Sequence, residues 1–287
     1  MEMLALPPFA SVQRVRQLEA VEMDTLCRRV LAASPDSWSK PLGQGLATYC
    51  RKGSRLNKVV GLGLASLNAD LALHLQDAEQ AYAQSQAPIQ VEVCTHACPS
   101  LTNVLAARGY QCTGHMMVLG CSLTQRVPAT ETTIEGTVKT RLVAQHEAYL
   151  WAEVLAQGFS AVTRGEHSAK HDVVDRSPLR QLFADVGRID STYRWLAEID
   201  GQPAGGASLD VSGGVAQLAH AATLPKYRGH GVQPALLAAR LTQASQVGCA
   251  FAVLATRPGS VSQRNAQRAG FVPLYARAIW SRAPTRA

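Results

Sequence analysis

Aromatic residues are scarce in this 287-residue chain: Phe, Trp and Tyr together make up 6%. Its cores must therefore be built from Leu, Val and Ala. Missing too is any apolar run near the ~18 residues of a membrane-spanning helix, so no membrane partner is expected. The opening MEMLALPPFASVQRVR lacks a basic segment followed by a long apolar stretch. It does not read as a secretory signal, and the cytoplasm is the expected compartment. No CxxC pair occurs among the 7 cysteines. Their odd number, without such a signal, predicts reduced thiols. Cys94, His96, Cys98, Cys112 and His115 sit near one another, but Cys94 continues the alternation of IQVEVC and zinc sites use tighter spacing. Small buried thiols and no metal are expected. Net charge is +7, yet no segment carries a run of basic residues. That thin patterning argues against nucleic acid and suits a basic cleft for a phosphorylated small molecule.

A chain of this length predicts two domains. The polar TQRVPATETTIEG reads as a linker over 124–136, dividing a unit 1–123 from a unit 137–287. Each unit closes on a similar phrase, VEVCTHACPSLTNVLAARGYQ in the first and AVLATRPGSVSQRNAQRAGFV in the second. Both read as strand, Pro-containing turn, short helix and a Gly-aromatic pair, which is the mark of a repeated domain. The second unit reads strand, helix, a helix opened by Pro178, three antiparallel strands with turns at Asp200-Gly201 and Gly213-Gly214, a helix over 232–248, a strand, a short helix and a last strand. This is an α+β layout around a mixed, mostly antiparallel sheet.

Within it, ATLPKYRGHGVQPALL places glycines and cations where a strand ends and a helix begins. A helix N-terminus offers amides without intrahelical partners and the positive end of a dipole. Gly229 and Gly231 allow positive φ and a close approach of backbone to an anion. Arg228 and Lys226 can add charge-assisted hydrogen bonds.

LPKYRGHGVQPALL followed by SQRNAQRAGF resembles the Gcn5-related N-acetyltransferase (GNAT) family over 137–282. The resemblance implies two tandem GNAT-like domains, each a mixed, mostly antiparallel sheet flanked by helices, with the second one active. It implies acetyl-CoA as co-substrate and transfer to the amine of a small acceptor, by direct attack in a ternary complex. The family's diphosphate loop maps onto Arg228, Gly229, His230, Gly231, Val232 and Gln233. The strand leading into it, through Ala222, Thr223 and Leu224, is expected to splay from its neighbour and pair with the pantetheine arm. Ser262 and Asn265 are candidate contacts to that arm. The first unit carries Gly61 and Gly63 at the matching place but no cation in frame, so it reads as a degenerate sister domain. A monomer or homodimer is expected.

Two departures bear on proton handling. The strand position where the family often carries a Glu base is Gln217, and the position of its Tyr acid is Ala266. His220, three residues beyond Gln217, is the candidate base, with Glu198 and Tyr275 as further catalytic candidates. His167 and His171 fall where the family shapes its acceptor pocket. The same departures leave open a second expectation, a CoA-binding pseudoenzyme or regulatory module.

Overall fold

The computed structural model describes residues 11–64, 71–124, 138–161, 176–189 and 191–283. The predicted linker lies largely outside them. Among the described residues no helix is long and apolar enough to cross a membrane.

The first half begins with α1 (Val12–Leu31), opened by Ser11, whose hydroxyl accepts from the Arg14 amide. It buries Val15, Leu18, Val21, Leu26 and Val30 on one side and ends with Arg28 and Arg29 against the negative end of its dipole. Then come β1 (Trp38–Leu42), β2 (Gly45–Tyr49), β3 (Lys58–Val60), α2 (Leu71–Gln84), β4 (Ile89–Cys94), α3 (Ser100–Ala107) and β5 (Gln111–Ser122). The second half runs β6 (Val138–Leu142), α4 (Ala148–Ser160), α5 (Arg176–Val186), β7 (Thr192–Ile199), β8 (Gln202–Ser212), β9 (Val215–Thr223), α6 (Val232–Gln246), β10 (Phe251–Thr256), α7 (Val261–Arg268) and β11 (Val272–Arg282). For the second half this is the order the periodicity predicts, with ends displaced by one or two residues.

The repeated closing phrases fold alike. After α3, Gly109 takes φ +82°, and the Tyr110 amide reaches back to the Leu105 carbonyl at 3.0 Å. After α7, Gly270 takes φ +86°, and the Phe271 amide reaches the Ala266 carbonyl at 3.1 Å. Each is a left-handed glycine terminator, and only glycine enters that conformation without strain. Both aromatics are buried at the head of the strand that follows.

The mixed, mostly antiparallel sheets of the two halves join into one sheet of 11 strands, ordered β1-β2-β3-β4-β11-β5-β10-β9-β8-β7-β6. The two last strands have changed places. β11 pairs antiparallel with β4 of the first half, β5 pairs antiparallel with β10 of the second, and the two run antiparallel to each other at the centre. Each half thus lends its final strand to the other, and backbone hydrogen bonds are satisfied across the boundary. On one face α1 packs beside α4 and α5, where Leu26 and Val30 share a core with Trp151, Leu155, Phe183 and Leu196. At ~1.5–3 kcal/mol for each buried large apolar side chain, this contact between halves is substantial.

Candidate active site

The site starts from an interrupted ladder. β9 runs parallel to β10 only from Val215 to Gln217, paired with Phe251 to Val253. Beyond Gln217 the strands part, and the edge of β9 leading to Thr223 faces a notch. At the same place the pairing of β9 with β8 jumps from Ala219↔Ser208 to Ala222↔Gly206. His220 lies in this bulge with φ +49°, a left-handed conformation that costs a non-glycine residue about 1–2 kcal/mol.

The chain leaves β9 with the Leu224 amide bonded to the Ala204 carbonyl at 2.9 Å, then makes a 3₁₀ turn over Pro225–Tyr227. Gly229 (φ +83°) and Gly231 (φ +80°) follow, and Gly231 caps α6 with no side chain over the first-turn amides and no acidic residue in that turn. A Cβ added at either glycine would meet nothing within 4 Å. The corner is open, lined by backbone and positively polarised, which fits a diphosphate. Gln233 Nε2 donates to Thr223 Oγ1 at 3.1 Å and ties the helix start to the strand end. Arg228 does not join the corner: its guanidinium reaches back to the carbonyls of Gly158 and Ala161 (3.4 and 3.3 Å) at the end of α4. Lys226 Nζ lies over the Tyr227 ring at 4.5 Å, and the donors that line the corner itself are backbone amides.

The matching loop of the first half is filled. A Cβ on Gly61 would stand 2.6 Å from Met23 Sδ, and one on Gly63 would stand 2.9 Å from Leu101 Cδ2. Arg16 donates twice to the Leu64 carbonyl (3.1 and 2.9 Å). Among the described residues, side chains thus occupy the space above these two glycines.

Beside the notch lies a pocket of about 140 Å³ built by both halves. β9 contributes His220; α4 and α5 contribute Phe159, Leu179, Leu182 and Phe183; α1 and the chain entering β3 contribute Glu22, Leu26, Arg29, Arg55, Leu56 and Lys58. His220 Nδ1 lies 2.9 Å from Ser208 Oγ, and its ring meets Phe183 edge-on. Burial, then the Arg29 charge, hold its pKa well below the ordinary histidine value, so the imidazole is neutral. Beneath the bulge Arg240 is buried with carbonyls as acceptors, those of Leu236, Ser208 and Ala219. Burial pushes its pKa down to about 9. Glu22 takes hydrogen bonds from Lys58 (2.8 Å) and from the Gln217 amide. Burial opposes its charge, but Lys58, Arg277 and Arg29 outweigh burial and keep its pKa well below the carboxylate range.

Residues 159–271 match the family model described as the acetyltransferase (GNAT) family. The match lies wholly within the second half. Its structure is similar to a GCN5-related N-acetyltransferase from Kribbella flavida (TM-score 0.64, 18% identity, 93% of this chain and 94% of that one). It is similar to a tandem GNAT protein from the clavulanic acid biosynthesis pathway (0.63, 14%, 96% and 95%). A functionally unknown conserved protein from Staphylococcus epidermidis is also similar (0.60, 10%, 88% and 96%). At these identities the likeness establishes the fold, which spans both halves. Among curated proteins nothing matches the sequence significantly.

The GNAT frame brings some sequence candidates together and separates others. The loop residues Gly229 to Gln233 and the β9 residues Ala222 and Thr223 gather at the notch and corner. Val232 is buried, as is Ala222, so each can offer a ligand its backbone alone. His230 is exposed, its Nδ1 3.0 Å from the Arg228 carbonyl. Ser260, not Ser262, caps α7, accepting from the Gln263 amide at 3.1 Å. Ser262 is exposed, while Asn265 accepts from Arg268 at 3.1 Å.

Glu198 is not in the cleft: it takes the Arg141 guanidinium at 2.8 Å between β6 and β7. Tyr275 is not there either. Because β11 crosses into the first half, its buried hydroxyl donates to Glu19 on α1 at 2.6 Å, and burial raises its pKa. His167 and His171 lie outside the described residues. Sequence reasoning missed Glu22, Arg29 and Lys58. They belong to the half without an open loop, and nothing local distinguishes them from a solvated helix face and a strand end.

Proposed function

We propose that this chain is an acyl-CoA-dependent N-acetyltransferase whose second half moves an acetyl group to the amine of a small acceptor, by direct attack in a ternary complex. The observation that carries the reading is the open, glycine-capped start of α6 directly after a strand that has parted from its neighbour. When bound, acetyl-CoA would supply an activated thioester. The chain's own groups do the rest. Amides from Gly229 to Gln233 hold the diphosphate, and the unpaired edge of β9 aligns the pantetheine arm as a strand would. With the proton on Nδ1 donated to Ser208 Oγ, His220 presents the Nε2 lone pair to the pocket and takes a proton from the acceptor amine. The apolar part of the pocket, formed by Phe159, Phe183 and the leucines, limits the entry of bulk water. Cys249, the one thiol of the second half, is buried at the far end of α6, which supports attack without an acyl-thiol intermediate. The cytoplasm is its proposed compartment.

Calorimetric titration with acetyl-CoA, followed by thiol release over a panel of amines, tests the reading. The loss of the family's Glu and Tyr at Gln217 and Ala266 favours a second reading, a CoA-binding regulatory module. Tight binding with no release from any amine would select it.

A further inference from the structure

The pocket beside His220 has a chemistry of its own. Its floor and one wall are apolar, with Phe159 stacked on Phe183 at 5.5 Å and Leu26, Leu56 and Leu182 around them. The other wall is cationic. Arg29, Arg55 and Lys58 line it against one carboxylate, Glu22. Glu22 pairs with Lys58 at 2.8 Å, and two further acids, Asp210 and Glu92, hold cations of this wall without lining the pocket. Asp210 holds Arg29 at 2.5 Å, and Glu92 holds Lys58 at 3.2 Å. Arg29 is more than nine-tenths buried, yet its Nε has no acceptor among the described residues. A buried guanidinium N–H without a partner is costly, and a bound anion removes the cost.

We propose that the pocket selects an acceptor amine bearing a carboxylate next to the amine and an apolar body, the chemistry of an apolar α-amino acid, with Arg29 reading the carboxylate. The inference rests on the acyltransfer reading above. Arg29 and His220 both line this small pocket, and the Arg29 charge acts on the His220 ring. An acceptor that engages both within about 140 Å³ carries its anion close to its amine. Its remaining bulk then lies along Phe159 and Phe183. A planar carboxylate suits the guanidinium fork, and the apolar surroundings favour one negative charge over the two of a phosphate. Arg29 comes from the half without an open loop, so the acceptor side of the site is incomplete without that half.

The test uses the full chain, acetyl-CoA and matched acceptors: leucine against 3-methylbutylamine, and phenylalanine against 2-phenylethylamine. The amino acids should give kcat/KM at least about tenfold higher, the range expected of a charge-assisted hydrogen bond. Arg29→Gln combined with Asp210→Asn removes both members of the buried pair. It should bring the ratio close to one, mainly through KM, with thermal unfolding checking that the fold persists. Equal or better rates for the amines lacking a carboxylate overturn the inference. Should no acceptor turn over, N-acetylleucine and N-(3-methylbutyl)acetamide are titrated into the CoA-saturated chain. Tighter binding of the carboxylate supports the inference; equal binding or none sinks it. Heat from acetyl-CoA with no carboxylate preference leaves the acyltransfer reading standing. No heat from acetyl-CoA removes that reading, and the inference with it.

Discussion

The side-chain amide of Gln217 on β9 donates to the carboxylate of Glu22 on α1, 195 residues away in sequence. A helix of one half thus delivers a negative charge to the strand position where GNAT proteins often carry their own. The Glu22 carboxylate is held charged by Lys58 and Arg277, while the Gln217 side-chain oxygen is buried with no partner among the described residues.

Restoring a carboxylate at that strand position should therefore harm the protein. Gln217→Glu brings like charges to hydrogen-bond distance and should cost about 1–3 kcal/mol. Combining it with Glu22→Gln restores one donor and one acceptor and should recover most of the loss. Denaturant unfolding of the two single variants and the double variant measures the coupling. Additive losses would mean the contact carries no such weight.

Gly231 is required twice, for its backbone and for the space above it. Gly231→Ala should cost about 1–2 kcal/mol from the left-handed cap. Gly231→Glu should also abolish acetyl-CoA binding, by placing bulk and negative charge over the first-turn amides. Gly61→Ala in the filled loop should lower stability through its 2.6 Å approach to Met23 and leave acetyl-CoA affinity unchanged. Calorimetric titration separates the two loops.

Histidine 220 should set the pH response. Its folded pKa is lowered by burial and by Arg29, Lys58 and Arg240, against the opposing pull of Glu22. The unfolded chain, with an ordinary histidine near 6.5, binds the proton more readily. Stability linked to this residue is thus complete above about pH 6.5 and falls as pH drops below it toward the folded value. His220→Asn, which tolerates positive φ, should flatten that slope in denaturant titrations from pH 5 to 8. It should slow thiol release by about 10²–10⁴-fold. The wild-type rate should hold below pH 6.5, where an unperturbed histidine would already be protonated.

Removing residues 1–123 takes away β5 and α1, leaving the edge of β10 open and β11 without its neighbours. The remaining half should aggregate when expressed alone. Expressed together, fragments 1–124 and 138–287 should associate and bind acetyl-CoA. Size-exclusion chromatography of the two preparations decides the matter; a monodisperse second half that binds acetyl-CoA would contradict the exchanged-strand sheet.

The α6 corner was legible because its determinants are local: glycines at 229 and 231, a strand before and a helix after. The repeat was legible for the same reason, in the shared terminators at Gly109 and Gly270. What eluded the sequence was long-range. No residue of β5 or β11 states which strand it will lie beside, and that choice carried Tyr275 away from the notch to Glu19. Glu198 was lost to Arg141, a partner 57 residues upstream. Arg29 reaches Asp210 across 181 residues and could not be assigned to a pocket before the halves were docked.

The exchange of β5 and β11 also sets an order of events during synthesis. β4 and β5 leave the ribosome early, yet the strand that belongs between them is not translated until residues 272–282. Until then the nascent first half carries a gap in its sheet, with unpaired amides and carbonyls on both sides. The sheet can be completed only once residues 272–282 have been made.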